Sequence, residues 1–351
     1  MLANFSALMF PSNESMNEQS TQVNLAKVWP GRNRFLFSGR LQCGPVSDVG
    51  YNLCLWLTLL APTTFFFAVP AVYVWNEISP AIVLVIVVLF ILTVVLFLAS
   101  SYLDPGVIPR YEIQVLFGIQ DYIRGLFGIP PQPLQSTEKV YLRSDDHRLL
   151  VSNTIDNRIF LTDDLIEKDY KYCPTCRIIR PPRASHCSDC DNCVLRFDHH
   201  CPFINNCVGQ RNYVFFVSFM VSALVLGLMV LFGIILWASK DSNWASPTII
   251  MIVACVVGIP TALFFLVGLG FGSYHIYLAC SGKTTREHLT NRPGLANVVS
   301  GAPWLQTFSV FKRPPRLFPA MKTTVSIPLW NPDNGEGFTQ EMPQLTIDNS
   351  V

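Results

Sequence analysis

Charged residues are scarce in this chain. Only 14% of its 351 residues are Asp, Glu, Lys or Arg, against about 25% in ordinary soluble domains. Half of the residues are hydrophobic and the mean hydropathy is +0.36. That balance excludes an ordinary soluble globular protein. A net charge of +1 gives no global electrostatic reason to expect a nucleic-acid partner. The start has no basic-then-apolar segment with a cleavage site, so no signal peptide is expected. Met1-Leu2-Ala3 lacks the glycine that N-myristoylation needs. Metal-like cysteine spacing is absent outside one run. Cys43, Cys54, Cys255 and Cys280 stand apart from it, and Cys54 and Cys255, inside apolar runs, are expected to be packing residues.

The run is Cys173 to Cys207, CPTCRIIRPPRASHCSDCDNCVLRFDHHCPFINNC, which holds seven of the eleven cysteines and three of the six histidines. Cys173, Cys176, His186 and Cys193 form the pattern C-x2-C-x9-H-x6-C. Fourteen residues on, Cys187, Cys190, His200 and Cys207 repeat it. Two interleaved sets of three sulfurs and one imidazole predict two closed tetrahedral zinc sites rather than a disulfide network. Such ligands need reduced thiols, so this segment is expected to face the cytosol.

Eight ligands leave His199 and Cys201 unassigned, on either side of His200 in Asp198-His199-His200-Cys201. A structural zinc module needs neither. A nucleophile needs both: the thiolate is the reactive form, and a neighbouring imidazole can take its proton. A carboxylate beside that imidazole can orient it and stabilise its charged form. The competing reading makes Cys201 the relic of a third copy, because it follows Cys187 by fourteen residues while Ile204 stands where the next ligand would be. His199 and His200 could also exchange roles, but only His200 fits the repeat.

The run closely resembles the cysteine-rich domain of DHHC-type protein S-acyltransferases, the palmitoyltransferases. The resemblance covers roughly residues 50 to 310 and is densest at 171 to 216. It implies that Cys201 carries the acyl group, that His199 is the base and Asp198 its orienting partner, and that both zincs are structural. It also implies palmitoyl-CoA, or another acyl-CoA, as co-substrate. Cytosol-facing proteins with accessible cysteines are then the acceptors, and an accessory subunit is compatible with it. Thr284-Thr285-Arg286-Glu287 matches the family's Thr-Thr-x-Glu motif, which implies that Thr285 contacts Asp198. The same residues also read as a helix-capping box, with Thr284 as cap and Glu287 three positions on. Asn297, Trp304 and Phe308 fit the family's C-terminal stretch only loosely and are not assigned to the site.

Four apolar runs fit the ~20 residues needed to cross a bilayer core: Asn52 to Trp75, Ala81 to Tyr102, Val214 to Ala238, and a fourth within Pro247 to Leu278. Pro62 and Pro70 are expected to kink the first. Asp104-Pro105-Gly106 ends the second. Val115 to Ile129 holds Asp121 and Arg124 and reads as an interfacial or packed segment. Residues 1 to about 25 and 321 to 351 read as disordered. Of the two short loops, near Glu77 and Asp241, only the second carries a cation, Lys240. Both termini and the zinc module are therefore expected on the cytosolic side of an endomembrane (Golgi or ER) or the plasma membrane. The cations beside the run, Lys171, Arg177, Arg180, Arg183, Arg196 and Arg211, read as a face for lipid headgroups or, for some, for CoA phosphates.

The expected architecture is an all-α polytopic membrane protein: four transmembrane helices with a small cytosolic two-zinc domain between the second and third. Its segments are a cytosolic N-terminal piece (1–50), helices one and two (51–103), a cytosolic linker (104–170) and the catalytic zinc domain (171–213). Helices three and four (214–280) and a cytosolic tail (281–351) complete it. Rival readings are a membrane-tethered zinc adaptor without catalysis and a zinc-finger nucleic-acid binder.

Overall fold

A computed structural model describes residues 20–131, 139–143, 145–152, 157–239, 246, 248, 251, 255, 258–291, 316–318 and 323–330. Asn297, Trp304, Phe308 and the loop around Asp241 lie outside the described residues.

Four long helices carry the apolar runs: α1 (Val49–Ala68), α2 (Pro80–Tyr102), α3 (Tyr213–Ala238) and α4 (Ile259–Ser281). Each is long and apolar enough to cross a membrane, and the molecule is a multi-pass membrane protein. Large side chains such as Leu84, Val88, Ile91 and Val95 stay exposed along α2, as suits a helix whose solvent is lipid. Aromatic contacts tie the bundle together. Phe97 of α2 lies against Trp56 of α1 and Phe219 of α3, with ring centroids 4.7 and 5.0 Å apart.

The first span is shorter than its apolar run. Pro62 is carried within α1, but the helix breaks at Val69, and Pro70 opens a separate turn, Pro70–Tyr73, followed by a π-turn, Val74–Ile78. Pro70 has no N–H to continue the ladder, so it starts a helix rather than extending one. The regular fourth helix begins at Ile259, well after Pro247. Cys54 and Cys255 are exposed on the protein surface rather than packed.

Between α2 and α3 lies a module of short antiparallel hairpins. Lys171–Cys173 pairs with Ile178–Arg180, Ser185–Cys187 with Asn192–Val194, and His199–Cys201 with Asn206–Val208. Arg177, Asp191 and Asn205 each turn their hairpin with φ near +50° (54°, 55° and 50°). They are fourteen residues apart, so the repeat in sequence is a repeat in backbone conformation.

The segment expected to be a linker belongs to this module. Val107–Ile108 adds a third strand to the middle hairpin. Tyr111–Leu116 and Gln120–Leu126 form two short helices, with Ile113, Ile123 and Ile129 buried. Val115 to Ile129 is thus a packed segment. The terminal segments are ordered where described: Ser20–Asn24 pairs antiparallel with Thr324–Pro328. Leu25, Trp29, Phe318 and Ile327 share one core with the module's cysteines. The apolar residues Leu25 and Ile327, set among polar neighbours, anchor stretches that composition alone marks as disordered.

Buried amides fasten the module to the helix ends. Asn206 Nδ2 donates to the carbonyls of Ser101 and Leu103, at 3.1 and 2.9 Å. Asn212 Nδ2 donates to Ser100 and Cys207. The bonds to Ser100, Ser101 and Leu103 satisfy carbonyls that the end of α2 leaves open. Asp104 Oδ1 accepts from the N–H groups of Gly106 and Val107, and Arg211 pairs with the same carboxylate at 3.1 Å. Gly106 turns away from the helix with φ +109°, a conformation that L side chains rarely adopt.

Candidate active site and metal centres

The two ligand sets assemble as their spacing predicts. Cys173, Cys176, His186 and Cys193 form one cluster and Cys187, Cys190, His200 and Cys207 the other, with ligand atoms within 4.8 Å of one another in each. All eight belong to the hairpins, and the middle hairpin contributes to both. In the first cluster His186 Nδ1 lies 3.4 Å from Cys176 Sγ and 3.9 Å from Cys193 Sγ. In the second, His200 Nδ1 lies 3.5 and 3.6 Å from the sulfurs of Cys190 and Cys207, which are 3.5 Å apart. Tetrahedral zinc with ordinary bond lengths sets such edges at about 3.5–3.8 Å. The residues present therefore fit two zinc ions, with no open position on either. All seven cysteines of the run are unpaired thiols rather than disulfides.

Each metal-facing histidine has a carboxylate behind it. His200 Nε2 bonds Asp48 Oδ2 at 2.8 Å and His186 Nε2 faces Asp191 Oδ1 at 3.5 Å. This outer contact fixes Nδ1 as the metal-facing nitrogen. Asp48 lies 152 residues before its partner, so no local sequence signal marks it.

Cys201 occupies, in the third hairpin, the place that Cys187 holds in the second. Ile204 is buried where a second sulfur would stand, and the hairpin makes no third cysteine cluster among the described residues. The freed thiol is buried, 8% exposed. Beside it, His199 Nδ1 bonds Asp198 Oδ2 at 2.7 Å. Nε2, the remaining nitrogen, has no hydrogen-bond partner. Asp198 accepts two bonds from Thr285, from its N–H to Oδ1 at 2.9 Å and from its Oγ1 to Oδ2 at 2.7 Å. The sequence-expected quartet of Asp198, His199, Cys201 and Thr285 is thus brought together.

The electrostatics follow from this chain of contacts. Burial opposes charge on the imidazole, but the bond to Asp198 and the nearby Cys201 sulfur outweigh it and raise His199 to about 9. Burial also pushes the Cys201 thiol up, yet the adjacent imidazole prevails and holds it below the usual thiol range. Asp198 is likewise driven up by burial but held below its ordinary value by His199 and Thr285.

Thr285 opens a short helix, α5 (Thr285–Leu289), whose N-cap is Thr284 in a complete capping box with Glu287. The two readings of this motif hold together: Thr284 caps while Thr285 faces Asp198. Arg183, from the module, grips Glu287 through two bonds of 2.5 and 2.8 Å and also donates to Gly282 O at 2.9 Å. This fork locks the motif onto the zinc module. Arg177 pairs with Glu112 at 2.6 Å and Lys171 with Asp169 at 2.6 Å. Arg183 and Arg211 are also paired, so four of the six cations expected to form a lipid or CoA face have carboxylate partners within the chain.

A cavity of about 450 Å³ begins at Cys201 and runs between α1, α3 and α4. Leu55, Leu59, Phe216, Met220, Phe264 and Phe271 line it, and its walls are almost wholly apolar. On α3 the lining extends from Phe216 to Val230, about 21 Å of helix axis. An extended chain of sixteen carbons, with bonds of ~1.5 Å, spans roughly 19 Å. Cys54, on α1, also borders the cavity.

Fold and site together define a polytopic membrane protein with two closed Cys3His metal centres and a buried Asp–His–Cys group at the mouth of an apolar cavity. The family described as DHHC palmitoyltransferase matches residues 166–292. Bovine palmitoyltransferase ZDHHC9 is 35% identical over 286 residues, covering 78% of this chain and 72% of that protein. Mouse palmitoyltransferase ZDHHC18 is 33% identical over 272 residues, covering 75% of this chain and 64% of that protein. For human palmitoyltransferase ZDHHC14 the figures are 34% over 291 residues, 77% and 53%. The chain therefore spans somewhat less than two thirds of the ZDHHC18 length. It belongs to the DHHC palmitoyltransferase family.

Proposed function

We propose that this chain is a protein S-palmitoyltransferase that works by a two-step transfer through Cys201. The observation that carries the reading is the position of Cys201. Its thiol meets an imidazole with a free nitrogen on one side and an apolar cavity of acyl-chain length on the other. His199 Nε2 takes the thiol proton while Asp198, held by Thr285, stabilises the imidazolium. The thiolate attacks the carbonyl carbon of palmitoyl-CoA. The C–S bond to CoA breaks, and CoA leaves with the proton from His199. An acceptor protein's cysteine then gives its proton to His199 and attacks the Cys201 thioester carbon; the C–S bond to Cys201 breaks, Cys201 leaves as a thiolate beside the imidazolium, and the acceptor departs acylated. Zinc at the two Cys3His centres would hold the hairpins in register and takes no part in either step.

The zinc module, with the segments around it, is proposed to lie on the cytosolic face. The pairing of the two terminal strands beside the module supports placing both termini there as well. An endomembrane or the plasma membrane is the host. The relatives' shared name, palmitoyltransferase, supports the chain length assigned. A zinc adaptor has no use for the His199–Asp198–Thr285 relay, and a nucleic-acid binder has none for the four spans.

The test is a chase. Protein loaded with labelled palmitoyl-CoA is freed of CoA and mixed with a cysteine-containing acceptor peptide. Label moving to the peptide without fresh acyl-CoA supports the two-step route. Label that stays on the protein until acyl-CoA is restored contradicts it.

A further inference from the structure

His275 of α4 is fully buried at 0% exposure, and neither of its ring nitrogens has a hydrogen-bond partner. Its ring packs against Phe271 at 4.6 Å, Phe216 at 5.2 Å and His199 at 5.6 Å between centroids. A buried imidazole always carries an N–H, and leaving it unmet is costly. His199 Nε2 is unmet in the same place. The unpartnered ring nitrogens of His275 thus lie beside the His199 ring in an otherwise aromatic setting.

The distances point to a shared ligand atom. One nitrogen from each histidine and one oxygen of Asp198 lie within 4.8 Å of one another. Of these only the two imidazoles can donate to an oxygen, and two donors that bond a common atom at ~2.8–2.9 Å can stand up to about 5.7 Å apart, so there is room for one oxygen between the two rings. A metal is the weaker occupant, because Asp198 already accepts from Thr285 twice and from His199. His275 also lies one turn beyond Phe271 on the same helix, and Phe271 and Phe216 line the cavity. If an acyl tail fills that cavity and its carbonyl carbon meets Cys201, the carbonyl oxygen lies at this end.

We propose that His275 is a catalytic residue of the acyl transfer, donating an N–H hydrogen bond to the thioester carbonyl oxygen as it becomes an oxyanion. The proposal rests on the acyl-transfer reading above. As the Cys201 thiolate forms its bond to carbon, the carbonyl π pair moves onto oxygen, where the His275 N–H meets it. The pair returns as the C–S bond to CoA breaks, and His275 keeps its proton throughout. The same donor serves the second transfer. Buried donors aimed at developing charge are worth about 10²–10³-fold in rate.

The experiment compares full-length wild type, His275→Gln and His275→Leu in detergent, each checked for two bound zincs. Two rates are measured at Cys201: acylation by palmitoyl-CoA in a single turnover, and alkylation by iodoacetamide. Alkylation needs the thiolate but forms no oxyanion. His275→Leu is expected to acylate about 10²-fold more slowly at saturating palmitoyl-CoA, with alkylation within about twofold of wild type. His275→Gln, which keeps a neutral donor, is expected to recover about tenfold of that loss. An acylation rate in His275→Leu near that of wild type would overturn the proposal. So would equal losses in acylation and alkylation, which would place His275 behind His199 rather than at the carbonyl. Should the Leu variant fail to hold zinc, the Gln variant decides alone: it must acylate at a rate within about tenfold of wild type with unchanged alkylation, and a larger loss would refute the donor role. Failure of wild-type protein to acylate at all would instead strike the reading on which the proposal rests.

Discussion

At the scale of single residues, the site is a relay of short contacts ending at one thiol. Thr285 gives Asp198 two hydrogen bonds, of which only one comes from its side chain. Thr285→Val removes that one and keeps the other, so acylation should slow by roughly tenfold, the worth of one hydrogen bond to a charged group. The thermal transition should not move by more than a few degrees. An unchanged rate would leave Thr285 as a part of the cap alone. Asp198→Asn has a larger consequence, because it withdraws the charge that raises His199 to about 9. In wild type the neighbouring His199 holds the Cys201 thiol below its usual range, so alkylation of Cys201 should persist at pH values below an ordinary thiol's range. In Asp198→Asn the imidazole loses that support, and the alkylation profile should move to higher pH. Coincident profiles would contradict the relay. The repeat in the sequence separates these residues from the metal ligands by position. His275 and Asp48 are invisible to it, since their partners lie 76 and 152 residues away and only folding makes them neighbours.

At the scale of elements, one hairpin design is used three times, and the third copy gives His200 and Cys207 to a metal cluster while leaving its first cysteine, Cys201, outside any cluster. Cys187 and Cys201 are equivalent places in successive hairpins, yet only Cys187 sits in a closed cluster. Cys187→Ser should lower the yield of folded protein and its zinc content, whereas Cys201→Ser should leave both intact, because structural zinc contributes directly to folding. Equal losses in the two variants would contradict the assignment of ligands. The Arg183–Glu287 fork joins this module to α5. Arg183→Ala should therefore slow acylation while sparing zinc content, by releasing the motif that carries Thr285. The spans were legible as apolar runs because lipid demands length and apolarity with little else. Their ends were less so: Pro70 reads as a kink in sequence but acts as a helix start once the π-turn after it is in place. The packing of residues 107 to 130 on the zinc module was hidden, since two-residue strands and short helices leave no periodicity to read.

At the scale of the whole molecule, the zinc module sets the buried Asp198–His199–Cys201 group against the opening of an apolar cavity. Both halves were legible separately, one from cysteine spacing and one from hydropathy. Their juncture was not, because it depends on Asn206 and Asn212 binding the last carbonyls of α2. Within the segments whose composition marks them as disordered, Ser20–Asn24 and Thr324–Pro328 gain order from each other and from the core they cover, which no local pattern signals. Tags at both termini should accordingly be reached from the same side of an intact membrane as the zinc module, and a tag in the Val74–Ser79 turn from the other side. Labelling of the two termini from opposite sides would contradict this topology. Purified protein should hold about two zincs per chain, and a value near one would break the interleaved assignment.

The central claim is that Cys201 carries the acyl group, and autoacylation tests it most directly. Solubilised protein is incubated with labelled palmitoyl-CoA, and hydroxylamine-labile label is compared among wild type, Cys201→Ser and His199→Ala. Strong label on wild type, none on Cys201→Ser and weak label on His199→Ala is the predicted result. Equal label on wild type and Cys201→Ser would place the acyl group elsewhere and contradict the account at its centre.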